Sequence, residues 1–534
     1  MHITRAIIQN YRTLRGSDIS FHPTMNIMVG DNEVGKSTLL EAINLALTGQ
    51  LNGRSIQYDL HPFLFHQGEI ADYVAALKAG AKPEPPYFQI ELYLNNIDEL
   101  AELKGTNNGA GQNVPGLLLR AELNSAFNAE YQQHVANPDQ VSTLPVELYH
   151  VVWRSFADKD LSPRTRPLKT TMIDTGDLRY SSGPQRYVLD QVSGFLDPAD
   201  RAQISLAYRR MKDTFHGDNN VTAINQKLAE KKGDISDKEI SVSLDATSKG
   251  SWEAGIVTNL DGIPFTLVGK GEQSSVKIQL AMDAAANVKI FLIEEPENHL
   301  SFTGLSRLIS KIGEKADERQ VFVTTHSSFV LNKLDVGQVL LFNGESGISL
   351  NNLRPNTRDY FKKLPGHDTL RMILARKVIL VEGPSDELVV QKAILQSYGQ
   401  SHLDLGVDVI SVRSLAFKRF LEISTLLSIP TRVLTDNDGN AGAVVLKYRD
   451  YNEIEFIEIC YSENEALPSL EDQLVQAAGR LSVNEMLNKD FENDDDLIAH
   501  MKDHKTDSAL AIYNSQQAIT FPAYIENAIR ELDN

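Results

Sequence analysis

The stretch MNIMVGDNEVGKSTLLEAINLALTG, residues 25–49, decides how the first half of this chain folds. MNIMV is a short apolar run suited to a buried strand. STLLEAINLALT has apolar residues at helical spacing and stops at Gly49. Between them runs Gly30-x4-Gly35-Lys36-Ser37. A glycine-rich loop joining strand to helix lets backbone N–H groups wrap phosphates, while the helix N-terminus adds positive partial charge. Lys36 would reach the outer phosphates and Ser37 would ligate Mg2+. Gly30, Asn32, Gly35 and Thr38 complete the expected ATP-binding loop. The unit belongs to an α/β fold.

Three later stretches extend this reading. In NVKIFLIEEPENHL an apolar strand ends at Glu294, where an acid can hold the water shell of Mg2+, and Glu295 follows, placed to polarise an attacking water. Alone, EEPE would suit a solvated helix start; on a chain with a phosphate loop the acid-pair reading prevails. VFVTTH ends at His326, which suits a γ-phosphate sensor or a structural strand-end histidine. VGKGEQSS, residues 268–275, offers Gly271, Glu272 and Gln273. Gln67 in LFHQGE reads equally as a nucleotide contact or as an ordinary loop glutamine.

A second chemistry begins at ARKVILVEG. Strands at 377–381, 407–412 and 431–435 with helices between them predict a small parallel sheet. Glu382 follows KVILV, Asp386 opens the next helix, and Asp436 and Asp438 follow RVLT. Parallel strands gather their C-termini at one edge, so these acids should converge there. Four carboxylates in that space repel one another unless metal neutralises them. A pair of Mg2+ or Mn2+ ions roughly 3.5–4 Å apart would serve phosphodiester displacement. Taken singly, Ser385-Asp386 would be a helix cap and Asp436–Gly439 a turn.

At 534 residues, several domains are required. The expected boundaries are 1–184 and 238–350 for the two ATPase parts, 185–237 for a polar helical insertion suited to dimerisation, 351–368 for a linker, and 369–534 for the metal domain. Residues 50–85 read as turn-rich and irregular. One cysteine, Cys460, excludes an internal disulfide framework and points to a reducing cytoplasm. MHITRAIIQNYRTL has no apolar core of a signal peptide, and no apolar run reaches the ~18–20 residues of a membrane span, so a soluble intracellular protein without a membrane partner is expected. The net charge of −19 rules out a uniformly basic surface but not a local nucleic-acid site.

VGKGEQSS resembles the signature loop of ABC-type ATPases of the SMC and RecF kind, which caps the nucleotide of the partner subunit. Gly269 stands at the family's serine position and Glu294 where Asp is usual; both departures favour a nucleotide-sensing frame over an efficient hydrolase. The acid set resembles a Toprim domain. An ABC ATPase followed by Toprim resembles the OLD (overcoming lysogenization defect) family nucleases, including the Gabija nuclease and retron-associated effectors, over nearly the whole chain. That resemblance makes Glu471 in PSLEDQLV a further metal ligand and Lys505 in HKTDSALAI a stabiliser of charge on the scissile phosphate. It implies an ATP-binding, Mg2+- or Mn2+-dependent DNA endonuclease of anti-phage defence. Glu382, Asp436, Asp438, Lys505 and Glu295 would be its catalytic residues. It also implies a homodimer or higher oligomer, with a helicase or a reverse transcriptase–nucleic acid partner. The alternative is a RecF-like DNA-bound ATPase scaffold without nuclease activity.

Overall fold

The computed structural model describes every residue except 31–33, 175–195, 231–240, 245–256, 285–287, 317–318, 328–337, 343–346, 364–370, 374, 413–416 and 534. Asn32, both ends of the expected insertion, and much of the strand-like stretch after it lie outside the described residues. The chain divides into two compact units, residues 1–28 with 35–325, and 29–34 with 326–534.

The first unit is built around one helix between two sheets. Strands β1 (Ile3–Tyr11), β2 (Leu14–Ser20), β4 (Phe88–Leu94), β5 (Val114–Leu123) and β6 (Tyr149–Ser155) form an antiparallel sheet in the order β2-β1-β4-β5-β6. The second sheet places β7 (Thr170–Asp174), β8 (Ile290–Glu294), β9 (Gln320–Thr325) and β3 (Met25–Val29) side by side. β7, β8 and β9 run parallel. Helix α1 (Lys36–Thr48) packs against strands of both sheets. Its run KSTLLEAINLALT is therefore apolar almost all round, as a helix covered on two sides must be. Gln320 joins the layers: its side-chain oxygen accepts from Ile3 N at 2.7 Å, and its amide donates to Ile3 O at 2.8 Å and His22 O at 2.9 Å.

Residues 50–85 are not irregular throughout. Helix α2 (Gln67–Lys78) occupies their second half and buries Ile70, Tyr73 and Leu77. Its cap is His66, whose ring nitrogen accepts from Glu69 N, in place of the usual Ser, Thr, Asp or Asn. Within the insertion stand α3 (Pro198–His216) and α4 (Asn219–Ala229), capped by Asp197 and Asp218. The first unit also holds α5 (Lys270–Ala284) and α6 (Phe302–Lys315).

In the second unit, β10 (Val339–Phe342) and β11 (Gly347–Ser349) pair antiparallel. The stretch read as a linker carries α7 (Pro355–Lys363). Glu422 holds its start, accepting from Arg354 N at 2.5 Å and Thr357 Oγ1 at 2.6 Å. The sheet that follows is all parallel: β12 (Lys377–Val381), β13 (Val407–Ser411), β14 (Thr431–Leu434) and β15 (Ile457–Cys460), in the order β13-β12-β14-β15. Helices α8 (Pro384–Tyr398), α9 (Phe417–Leu427) and α10 (Ala441–Tyr448) alternate with these strands. Then come α11 (Leu470–Ala478), α12 (Arg480–Leu487), α13 (Asp494–Asp503), α14 (Lys505–Asn514) and α15 (Ala523–Ala528). Their apolar faces share one core with β12, β13 and α8. Among the described residues no helix is long and apolar enough to cross a membrane.

Candidate functional site

β12 and β14 are parallel neighbours with Leu380 opposite Val433, so the residues just past both strands emerge at the same edge. Glu382 meets Asp436 there. Glu382 Oε1 accepts from Thr435 Oγ1 at 2.6 Å and from Asp436 N at 3.1 Å, and Oε2 has no hydrogen bond from the described residues. Asp386 stands in the first turn of α8, and its Oδ2 accepts from Gly383 N at 3.0 Å. Glu471, buried in the first turn of α11, accepts from Ser469 Oγ at 2.8 Å, and its other oxygen lies 3.5 Å from Lys505 Nζ. Asp436 Oδ1 is buried and has no hydrogen-bond partner among the described residues.

Charge couples these groups. Burial pushes Asp436 up to about 8, with Asp386, Glu382 and Glu471 adding repulsion. Asp386 rises to about 7, through burial first and then Glu382 and Glu471. Burial works to lower Lys505, but Glu471, Asp436 and Asp386 outweigh it and hold the ammonium charged. The phenol of Tyr524, buried in α15, is driven well above its ordinary value by burial and then by the same four carboxylates.

Four of the five expected ligands thus share one electrostatic site. Asp438 is different: it is exposed, has a left-handed φ of 48°, and ties its backbone to Pro468 O at 3.2 Å. It is not among the charges that raise Asp386 or Asp436. Among the described residues no three acids already surround a point close enough to hold an ion. Coupling reports shared space, whereas the oxygens themselves are drawn onto Thr435, Gly383, Ser469 and Lys505. The residues nevertheless fit a divalent ion: hard oxygen donors, an orphaned Asp436 oxygen and an uncommitted Glu382 oxygen are what Mg2+ or Mn2+ takes.

A strand, Met25–Val29, and a helix, Lys36–Thr48, flank the nucleotide loop. Gly35 caps α1 with a φ of 98°, a conformation that favours glycine. Lys36 is buried, Ser37 is exposed, and Thr38 Oγ1 meets Thr13 Oγ1 at 3.1 Å. Glu294 is the last residue of β8. Glu295 turns away from the strand with a φ of 41°, donates its N–H to Thr324 O at 3.1 Å and accepts from Asn298 Nδ2 at 3.1 Å. His326 follows β9 directly. Gly271, Glu272 and Gln273 lie in the first turn of α5. A Cβ on Gly271 would stand 2.3 Å from His299 O, so this turn packs backbone to backbone on the segment after Glu295. Gln273 is buried and donates to Val268 O at 2.7 Å. Gln67 is engaged locally, donating to Phe65 O at 2.9 Å and Pro62 O at 3.2 Å.

Sequence reasoning missed Thr435, Ser469, Asn298 and Tyr524. For Thr435 a signal existed: a hydroxyl between a β-strand and a functional acid. The others become visible only through tertiary contact.

Two family models cover most of the chain. Residues 25–332 match one described as "AAA domain, putative AbiEii toxin, Type IV TA system", and residues 373–438 match "Overcoming lysogenization defect protein-like, TOPRIM domain". Together they define an AAA-type ATPase joined to a Toprim domain. The chain is 22% identical over 480 residues to the "OLD nuclease" of Thermus scotoductus (strain ATCC 700910 / SA-01), covering 82% of each. It is 24% identical over 154 residues to "Endonuclease GajA" of Bacillus cereus (strain VD045), 28% of this chain and 26% of that one. The solved SMC head bound to the C-terminal winged-helix domain of ScpA aligns with a TM-score of 0.35 at 16% identity, over 66% of this chain and 98% of that chain. The chain belongs to the AAA-domain family of the first model and carries an OLD-like Toprim domain.

Proposed function

We propose that this protein is an ATP-binding, divalent-metal-dependent DNA endonuclease of anti-phage defence. One observation carries the proposal: four mutually repelling carboxylates at the C-terminal edge of the parallel sheet, with one buried oxygen unsatisfied and a lysine at the rim. Its relatives of the OLD and GajA type are named nucleases, which supports the same reading.

Glu382, Asp386, Asp436 and Glu471 would hold the metal, with Asp438 at the exposed lip. Bound Mg2+ or Mn2+ would neutralise the cluster, polarise the phosphate and supply an activated water. Lys505 Nζ, held near the cluster by Glu471, is suited to take a non-bridging oxygen of the scissile phosphate as its charge grows. The loop from Gly30 to Thr38, Glu294, His326 and the turn at Gly271–Gln273 would bind ATP, with Glu295 polarising water. Gly269 in place of the signature serine supports nucleotide gating of cleavage over rapid turnover. We place the protein in the cytoplasm as a homo-oligomer, working with a helicase or a reverse transcriptase–nucleic acid partner.

The test is nicking of supercoiled plasmid with Mg2+ or Mn2+ across graded ATP. Wild type should nick, and Asp436→Ala should not. Dimerisation on DNA driven by ATP, with no cleavage under any metal, would instead establish a RecF-like scaffold.

A further inference from the structure

Thr435 is buried and tightly placed. Its N–H donates to Cys460 O at 3.2 Å, continuing the pairing of β14 with β15, so its side chain leaves the sheet in one direction. In that direction lies Glu382 Oε1, at 2.6 Å. Asp436 N donates to the same oxygen at 3.1 Å. Both donors take one oxygen of the carboxylate, Oε1, and among the described residues no hydrogen bond engages Oε2.

A threonine hydroxyl has one proton to donate. Of the two acceptors near Thr435 Oγ1, Glu382 Oε1 at 2.6 Å is much nearer than Asp436 O at 3.4 Å. The threonine proton is therefore committed to Glu382.

We propose that Thr435 is a positioning residue that fixes the Glu382 carboxylate so that Oε2 alone is presented to a divalent cation. This deepens the nuclease reading above and rests on it. Removing an outer partner of a metal-holding carboxylate typically lowers metal affinity or activity by about 10–100-fold.

The experiment uses the full-length chain and two readouts, MnCl2 binding by titration calorimetry without DNA and plasmid nicking against Mn2+ concentration. Thr435→Val, which keeps the shape and loses the hydroxyl, should raise the half-saturating Mn2+ concentration by about 10–100-fold in both. Thr435→Ser should restore binding to within a few-fold of wild type. If Thr435→Val binds Mn2+ and nicks like wild type while Asp436→Ala does neither, the positioning role is wrong and the metal site stands. A Thr435→Ser chain as weak as Thr435→Val also overturns it, because the methyl group would then be the part that matters. If Asp436→Ala itself binds Mn2+ and nicks like wild type, the nuclease reading fails first.

Discussion

Replacing Asp436 with asparagine should stabilise the metal-free protein at pH 8 and leave it unchanged near pH 4. An aspartate in an unfolded chain ionises near 3.8, whereas burial and the charges of Asp386, Glu382 and Glu471 push the folded Asp436 to about 8. Between those values the folded protein holds a proton that the unfolded chain has released. Stability therefore falls as pH rises from about 4 to about 8, and it is flat above and below that window. Each unit of displacement corresponds to about 1.4 kcal/mol, so the whole window sets a ceiling of about 6 kcal/mol. A third of that ceiling is about 2 kcal/mol, which for a unit of ~200 residues raises Tm by about 4–8 °C.

Asparagine matches the shape of the protonated side chain and never ionises. The assay is differential scanning calorimetry in EDTA at pH 5, 6.5 and 8, following the transition of the C-terminal unit. The variant should gain over wild type at each step up in pH. With saturating Mn2+ the order should reverse: wild type gains about 2.7 kcal/mol at a concentration 100-fold above its Kd, and the variant gains little. The reasoning is refuted if the variant melts no higher than wild type at pH 8 in EDTA, or if its advantage is the same at pH 5.

Three further perturbations test other parts of the molecule. Lys505→Met should cut plasmid nicking by about 10²–10³-fold with Mn2+ binding retained, read by single-turnover kinetics beside calorimetry; equal losses in both would make Lys505 a structural partner of Glu471. Gly271→Ala forces a Cβ against His299 O and should destabilise the N-terminal unit by about 1–3 kcal/mol and weaken any effect of ATP on cleavage, measured by urea unfolding and ATP-graded nicking. Gln320→Leu strips the hydrogen bonds from Ile3 and His22 and should lower the urea stability of that unit by about 2–4 kcal/mol, with the C-terminal transition unmoved.

The parts of this fold that could be read along the chain share a physical origin: they follow from local pattern plus one rule of topology. KVILV-Glu382 and RVLT-Asp436 each show an apolar run ending in an acid, and parallel pairing then brings the acids together. The strand–loop–helix at residues 25–49 is equally local. What stayed hidden depends on contacts distant in sequence. Helix α2 was missed because its cap is a histidine and its buried stripe, Ile70, Tyr73 and Leu77, is thin. Gln320 looks like an ordinary strand-start polar residue until Ile3 arrives beside it, 317 positions away. Asp438 fits the pattern of a ligand by spacing, yet its left-handed backbone leaves it exposed and outside the coupled group. Glu471 and Lys505 came only from family resemblance, since a helix-start acid and a surface lysine carry no chemical signature of their own.

The energetics of the acid edge also bear on the choice between a nuclease and a passive scaffold. The same helices that surround Glu382, Asp386, Asp436 and Glu471 bury Val381, Leu434, Leu474 and Tyr524 in a continuous apolar core. A domain whose only task was structural would be more stable with neutral side chains at those four positions, because replacing buried charge by well-packed neutral groups is often stabilising. Here the burden is concentrated: two aspartates are held protonated near neutral pH by burial and by their neighbours, and one buried oxygen goes unpaired. Local violations of this kind gather at functional sites. Binding of a divalent cation relieves all of them at once, the repulsion, the trapped protons and the orphaned oxygen. A scaffold has no use for that relief. Restoration of stability by Mn2+ in wild type but not in Asp436→Asn therefore separates the two readings before any DNA is added.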